Sequence, residues 1–161
     1  MPLQVLDICA NQGDWTLSLL SSKSAKRRAN GRLRIDAVEP VGATAGRFEA
    51  ALSAVPSQDT VHLHRYAISD HVGEMRIAIT SAMGDTNTLH FDQTNGEPPG
   101  GGCQAGLHGI GHIQFAKCDA EGHDLMEAHE LLAAGRIDVF QFEYSHRWVL
   151  ARAYLKRTSS T

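Results

Sequence analysis

The hydrophobic pattern opens with Leu3, Val5, Leu6 and Ile8, interrupted only by Gln4 and Asp7. A short apolar run of this kind reads as a buried strand. It passes through small and polar residues to Gly13. Trp15, Leu17, Leu19 and Leu20 then give a partly helical apolar face up to the polar run from Ser21. Arg34 to Val38 reads as a second buried strand, stopped at Glu39-Pro40 because proline cannot donate to a ladder. Thr44 to about Ala54 has helical spacing in Phe48, Ala51, Leu52 and Val55, with Gly42 and Gly46 weakening its start. Val61 to Ile68 predicts a third strand and Ser69 to Gly73 a turn. The alternation of Met75, Ile77 and Ile79 predicts an edge or antiparallel strand. From Thr80 to Gly111 no element is expected, and Gly96 to Gly102 is a flexible breaker. A structureless run of that length is a functional lid or a damaged region. Ile113 to Cys118 predicts a fourth strand. A helix follows over roughly Asp124 to Ala134, with Leu125, Met126, Leu131 and Leu132 on its apolar side and Gly135 as C-cap. Ile137 to Phe142 is a fifth, strongly apolar strand, and Trp148, Leu150, Ala151 and Leu155 have helical spacing.

Strands and helices in alternation argue an α/β fold with a mostly parallel sheet and flanking helices. Four strands end in a carboxylate: Asp7, Glu39, Asp119 and Glu143. Any one of them fits a helix cap or a turn. In an open parallel sheet all four converge on the ligand crevice, so a shared ligand site is the stronger reading. The turn from Asp7 to Gly13, between a strand and a helix N-terminus, suits a nucleotide-like ligand. A buried Asp7 needs a partner, and a cationic ligand group is one such partner.

Composition narrows this only a little. The chain has 161 residues, 42% of them hydrophobic, which fits one globular domain over 1–161. The net charge of −3 gives no reason to expect nucleic acid. The basic cluster of Lys23, Lys26, Arg27, Arg28, Arg32 and Arg34 reads as a solvated helix end and loop. Three cysteines far apart, Cys9, Cys103 and Cys118, suggest a reducing compartment without a disulfide framework. No run is apolar enough to span a membrane, and the N-terminus lacks a signal-peptide layout, so the cytoplasm is the default. Among nine histidines, His108 and His112 have helical ligand spacing but no Glu between them, so no metal site is expected. His62 and His64 share one strand face, which reads as half-exposed surface. His123 and then His146 are alternatives for a base, each also readable as a surface or capping histidine.

Several ordered stretches resemble a known family. They are Val5-Leu-Asp-Ile-Cys-Ala-Asn-Gln-Gly13, Ala37-Val-Glu-Pro40, Ala67-Ile-Ser-Asp70 followed by Gly73, Asn87-Thr-Leu89, Lys117-Cys-Asp-Ala-Glu-Gly122 and Phe142-Glu-Tyr144. Together they resemble the FkbM-type, S-adenosylmethionine-dependent methyltransferases. The resemblance implies a Rossmann-like class I methyltransferase fold and S-adenosyl-L-methionine as cofactor. It also implies O-methylation of a small-molecule or glycan hydroxyl. By position it implies that Asp7, Cys9, Ala10, Asn11 and Gly13 line the methionine part, with Asp7 near its ammonium. Glu39 would take the two ribose hydroxyls, and Ala67, Ser69 and Asp70 would border the adenine. Asp119 and Glu121 would lie beside the sulfonium, where Asp119, Glu121 or His123 takes a proton from the acceptor.

The chain departs from the family in four places. Cys9 stands where the family has glycine, so its side chain is expected to narrow the site or strain a turn that needs a glycine conformation. The first strand starts at Leu3, so the family's upstream segment is expected to be missing, and the Gly/Pro-rich tract is expected to stand in place of a strand. The chain ends soon after the fifth strand, so the fold is expected to be incomplete at its C-terminal end. A non-catalytic remnant that keeps ligand or partner binding is therefore the alternative. A nicotinamide-dependent dehydrogenase is disfavoured, because Gly-x-Gly-x-x-Gly is missing after the first strand. The sequence leaves the acceptor and the oligomeric state open.

Overall fold

The computed structural model describes residues 2–28, 32–56, 59–69, 77–78, 88–89, 103–105, 110–119, 128 and 131–143. Five parallel strands make the main sheet: β1 (Leu3–Ile8), β2 (Leu33–Val38), β3 (Thr60–His64), β8 (Ile113–Cys118) and β9 (Ile137–Phe142). Their spatial order is β3-β2-β1-β8-β9. The chain builds outward from β1 through β2 to β3, then crosses back to add β8 and β9 on the other side. The order reverses between β1 and β8, and in such sheets that switch point is where a ligand crevice opens.

Alternation along the strands divides the core between the two faces of the sheet. Val5, Leu33, Ile35 and Ala37 face α1 (Asp14–Ser21), α2 (Lys23–Arg28) and α3 (Gly42–Ser53), against Leu17, Leu20, Ala25, Phe48 and Leu52. Leu6, Ile8, Val38, Ala116 and Cys118 pack on the other face with Ile68, Ile110 and Leu131. Helices cover both faces, because Leu131 belongs to the helical residues 131–133. The fold is therefore α/β with a parallel sheet and flanking helices, as the alternation of elements predicts. No described helix is long and apolar enough to cross a membrane.

Three details differ from the sequence reading. The third strand ends at His64 rather than Ile68. After Arg65 and Tyr66 the chain re-forms as β4 (Ala67–Ser69), which pairs in parallel with β7 (Cys103–Ala105) in a separate two-stranded sheet. Short strands also occur between Thr80 and Gly111, where none was expected. These are β7 and β6 (Thr88–Leu89), the latter antiparallel to β5 (Ile77–Ala78). Leu132 does not face the core; it is exposed, while Ala128 and Leu131 are buried. Gly135 does cap that helical segment, with φ +62 and its N–H on the Leu132 carbonyl. Asp70, Glu121, His123 and His146 lie outside the described residues.

One buried carboxylate escaped the sequence reading. Asp36 sits mid-strand in β2, 2% exposed. It accepts hydrogen bonds from Gln4 Nε2 at 2.6 Å and His64 Nε2 at 3.0 Å, with Arg34 Nε 3.7 Å away. A buried carboxylate supplied with donors in this way ties β1, β2 and β3 together on the face away from α3. His62 is exposed and His64 half-buried, as a half-exposed strand face predicts.

Candidate functional site

All four strand-end carboxylates fall on one edge of the sheet. Asp7 is in β1, Glu39 follows β2, Asp119 follows β8 and Glu143 follows β9, and these strands are parallel neighbours. The site is built outward from Asp7, which is 0% exposed. Thr16, in the first turn of α1, donates its hydroxyl to Asp7 Oδ2 at 2.7 Å. Lys117 is the register partner of Asp7 on β8, and its Nζ lies 3.4 Å from Asp7 Oδ1. That contact is an ion pair without hydrogen-bond geometry, so no hydrogen bond reaches Oδ1 among the described residues.

Lys117 is the residue the sequence reading left without a role. Besides Asp7 it reaches the Cys9 carbonyl at 3.4 Å and Asp119 Oδ2 at 3.8 Å, and its side chain is 13% exposed. Burial works to lower its pKa, but the charges of Asp7, Asp119 and Cys9 outweigh burial and raise it above the ordinary 10.5. The amine is therefore a fixed cation at neutral pH. Burial raises the Asp7 pKa above 3.8, against the opposing pull of Lys117 and Thr16. Asp7 thus has a partner within the chain, and the sequence offered only one hint of it: Lys117 is the lone cation in a strand otherwise short of charge.

The turn after β1 holds two residues in left-handed backbone that carry side chains, Cys9 at φ +55 and Asn11 at φ +53, followed by Gly13 at φ +85. Glu39 fixes this turn. Its Oε2 accepts the Asn11 N–H and its Oε1 the Val41 N–H, each at 2.9 Å, and it is 6% exposed. Burial raises the Glu39 pKa while the two amides lower it. Each oxygen has accepted one donor and keeps capacity for a second. Ala10 is buried, with its N–H on the Val38 carbonyl, and Asn11 Oδ1 is buried without a hydrogen-bond donor among the described residues. Cys9 therefore occupies a conformation that favours glycine, which costs an L-residue about 1–2 kcal/mol. Cys9→Gly is expected to raise the unfolding free energy by about 0.5 kcal/mol, since glycine's greater freedom in the unfolded chain offsets part of the relief. Cys9→Val is expected to lower it by about 1 kcal/mol. Urea melts of the two variants check both signs.

Asp119 stands at the mouth, with 38% of its side chain exposed. Beside it a cleft of about 440 Å³ opens at the ends of β8 and β9, lined by Lys117, Cys118, Asp119, Gln141, Phe142 and Glu143. That volume falls in the range of small-molecule sites. Ala67 is buried in β4, and its neighbour Ile68 packs on Leu6, Ile8 and Val38, which sets β4 against the same half of the sheet. Ser69 ends β4; Asp70, Glu121 and His123 lie outside the described residues. No group of three or more metal-ligating side chains occurs among the described residues. The edge thus gathers Asp7, Cys9, Ala10, Asn11, Gly13, Glu39, Lys117 and Asp119 around the switch point. No protein-family model, curated protein or solved structure matches the chain.

Proposed function

We propose that the chain is an S-adenosylmethionine-dependent methyltransferase with a Rossmann-like class I fold, acting on the hydroxyl of a small molecule or glycan. One observation carries the reading. Asn11 Oδ1, buried at the switch point, takes no hydrogen bond among the described residues, and Glu39 beside it has acceptor capacity left. Buried acceptors without donors are costly, and a ligand rich in donors relieves them. S-adenosylmethionine fits this set through its ammonium and its two ribose hydroxyls. Among the described residues of the edge, three carboxylates, Asp7, Glu39 and Asp119, accompany the Lys117 ammonium, which favours a cationic ligand. The family resemblance of the motifs adds to the same reading.

When bound, the sulfonium supplies an electrophilic methyl group. The chain's own residues bind and align. Asp7, Asn11 and Glu39 hold the cofactor's donors, and Lys117 fixes Asp7 and orients Asp119. The cleft beside Asp119 takes the acceptor, and Asp119 accepts the proton from its hydroxyl. Alignment supplies most of the acceleration in such an in-line displacement. Cys9 at φ +55 favours a second reading, a non-catalytic remnant in which the turn no longer admits the cofactor.

Titration calorimetry with S-adenosylhomocysteine separates the two. Saturable one-site binding by wild type, weakened at least about tenfold in Glu39→Gln, supports the enzyme, since the amide offers one acceptor oxygen where the carboxylate offers two. Absence of binding in wild type, with binding appearing in Cys9→Gly, supports the remnant. Binding of a nicotinamide dinucleotide instead of either overturns both.

A further inference from the structure

We propose that Cys9 and Cys118 are an oxidisable thiol pair that closes to an intramolecular disulfide on exposure to a peroxide. The two are far apart in sequence, which hid the pairing, but the sheet brings them together. Cys118 is the register partner of Ile8 across the β1–β8 pair, and Cys9 is the next residue after Ile8. Strand spacing and rise place Cα atoms in that diagonal relation about 6 Å apart. Disulfides span Cα separations of about 4.4–6.8 Å. Both residues also belong to one apolar cluster, Cys118 within it and Cys9 packed against it. Both are thiols in the structure.

Their surroundings give them different tasks. Cys9 is half-buried, so an oxidant reaches it, and its sulfur lies within electrostatic reach of the Lys117 ammonium. The thiolate is the attacking form. Cys118 is buried at the base of the cleft and acts as the resolving thiol. The Cys9 thiolate attacks one peroxide oxygen, the O–O bond breaks, and the departing hydroxide takes up a proton to become water. Cys9 is then a sulfenic acid. The Cys118 sulfur attacks the Cys9 sulfur and expels hydroxide, which becomes water with the proton that Cys118 gives up. Two thiols are oxidised to one disulfide and the peroxide is reduced to two waters. The bond staples β1 to β8 at the switch point. It also gives a reason for a side chain to persist at a position whose backbone favours glycine.

Mass spectrometry tests this on the full chain. The protein is treated with hydrogen peroxide, thiols are blocked by alkylation, and the non-reduced digest is mapped. The expected result is a dominant Cys9–Cys118 link within one molecule and an alkylated Cys103. The link is lost in Cys9→Ser and in Cys118→Ser, retained in Cys103→Ser, and restored to two free thiols by dithiothreitol. Oxidation in concentrated urea serves as the comparison, where the fold no longer favours that pair and Cys103 links appear as well. Three alkylated thiols after treatment of the folded protein, a dominant link to Cys103, or crosslinked dimers would overturn the proposal.

Discussion

Gly13→Ala is expected to destabilise the fold by about 3 kcal/mol, measured by urea denaturation followed by circular dichroism. Two effects add. Gly13 sits at φ +85, where an L-residue costs about 1–2 kcal/mol. A Cβ at this position also runs into the ring of Phe48. Phe48 is fully buried and packs in one cluster with Ala10 and Ala37, so displacing the ring disturbs close-packed neighbours. Overpacking of this kind typically costs about 1–3 kcal/mol. The double variant Gly13→Ala/Phe48→Leu separates the terms, because the smaller side chain removes the collision and leaves the backbone cost. The close approach has a structural purpose. It seats the N-terminus of α1 on α3, with the Leu17 N–H on the Gly13 carbonyl, and so sets the turn that carries Asn11. A loss below about 0.5 kcal/mol, the size of a neutral surface change, would contradict this packing.

Lys117→Met is expected to cost about 3–5 kcal/mol at neutral pH, because it strands the Asp7 carboxylate in the core with Thr16 as its remaining partner among the described residues. Methionine keeps much of the aliphatic stem, so the loss reports the charge rather than a cavity. The pH dependence is diagnostic. Asp7 has a folded pKa raised above 3.8, so the folded chain holds its proton more tightly than the unfolded chain. That contribution favours folding in acid and is lost as pH rises through the folded pKa. Removing Lys117 raises the Asp7 pKa further, so the deficit of the variant is largest at neutral pH and shrinks as pH falls toward 3.8. At the alkaline end the deficit shrinks again. The Lys117 contribution is present below 10.5 and is lost as pH rises through its raised folded pKa, so wild type loses stability there and the variant does not. Asp7→Asn in the Lys117→Met background is expected to recover most of the loss. Denaturation midpoints of the three proteins across pH check each step.

The contrast between Asp7 and Lys117 shows what sequence could reveal about this site. Asp7, Glu39, Asp119 and Glu143 were legible as a set, because each stands at the end of a run whose apolar pattern already reads as a strand. β8 and β9 were readable to the residue for the same reason, Ile113–Cys118 and Ile137–Phe142 being long, apolar and clearly bounded. The partnership of Asp7 with Lys117 depends on parallel register between strands far apart in the chain, and nothing local encodes that register. The same holds for Asp36, whose donors come from β1 and β3. β7 was missed because three residues carry too little periodicity to register as a strand, and β4 reads as the end of the third strand because its partner β7 lies far along the chain. Cys9 was legible as a misfit in a glycine turn. Its φ of +55 gives that misfit a physical form.

The central claim is that the turn after β1 and Glu39 cradle S-adenosylmethionine. A titration of isotopically labelled protein with S-adenosylhomocysteine, read on backbone amide resonances, tests it most directly. The amides of Asn11 and Val41 already donate to Glu39, so hydroxyls arriving on that carboxylate perturb both. The account predicts saturable shifts at Asn11, Gly13 and Val41, with the amides of Thr60 and Val61 at the far end of β3 unmoved. Saturable shifts that leave Asn11, Gly13 and Val41 in place, or no shifts in either wild type or Cys9→Gly, would contradict it.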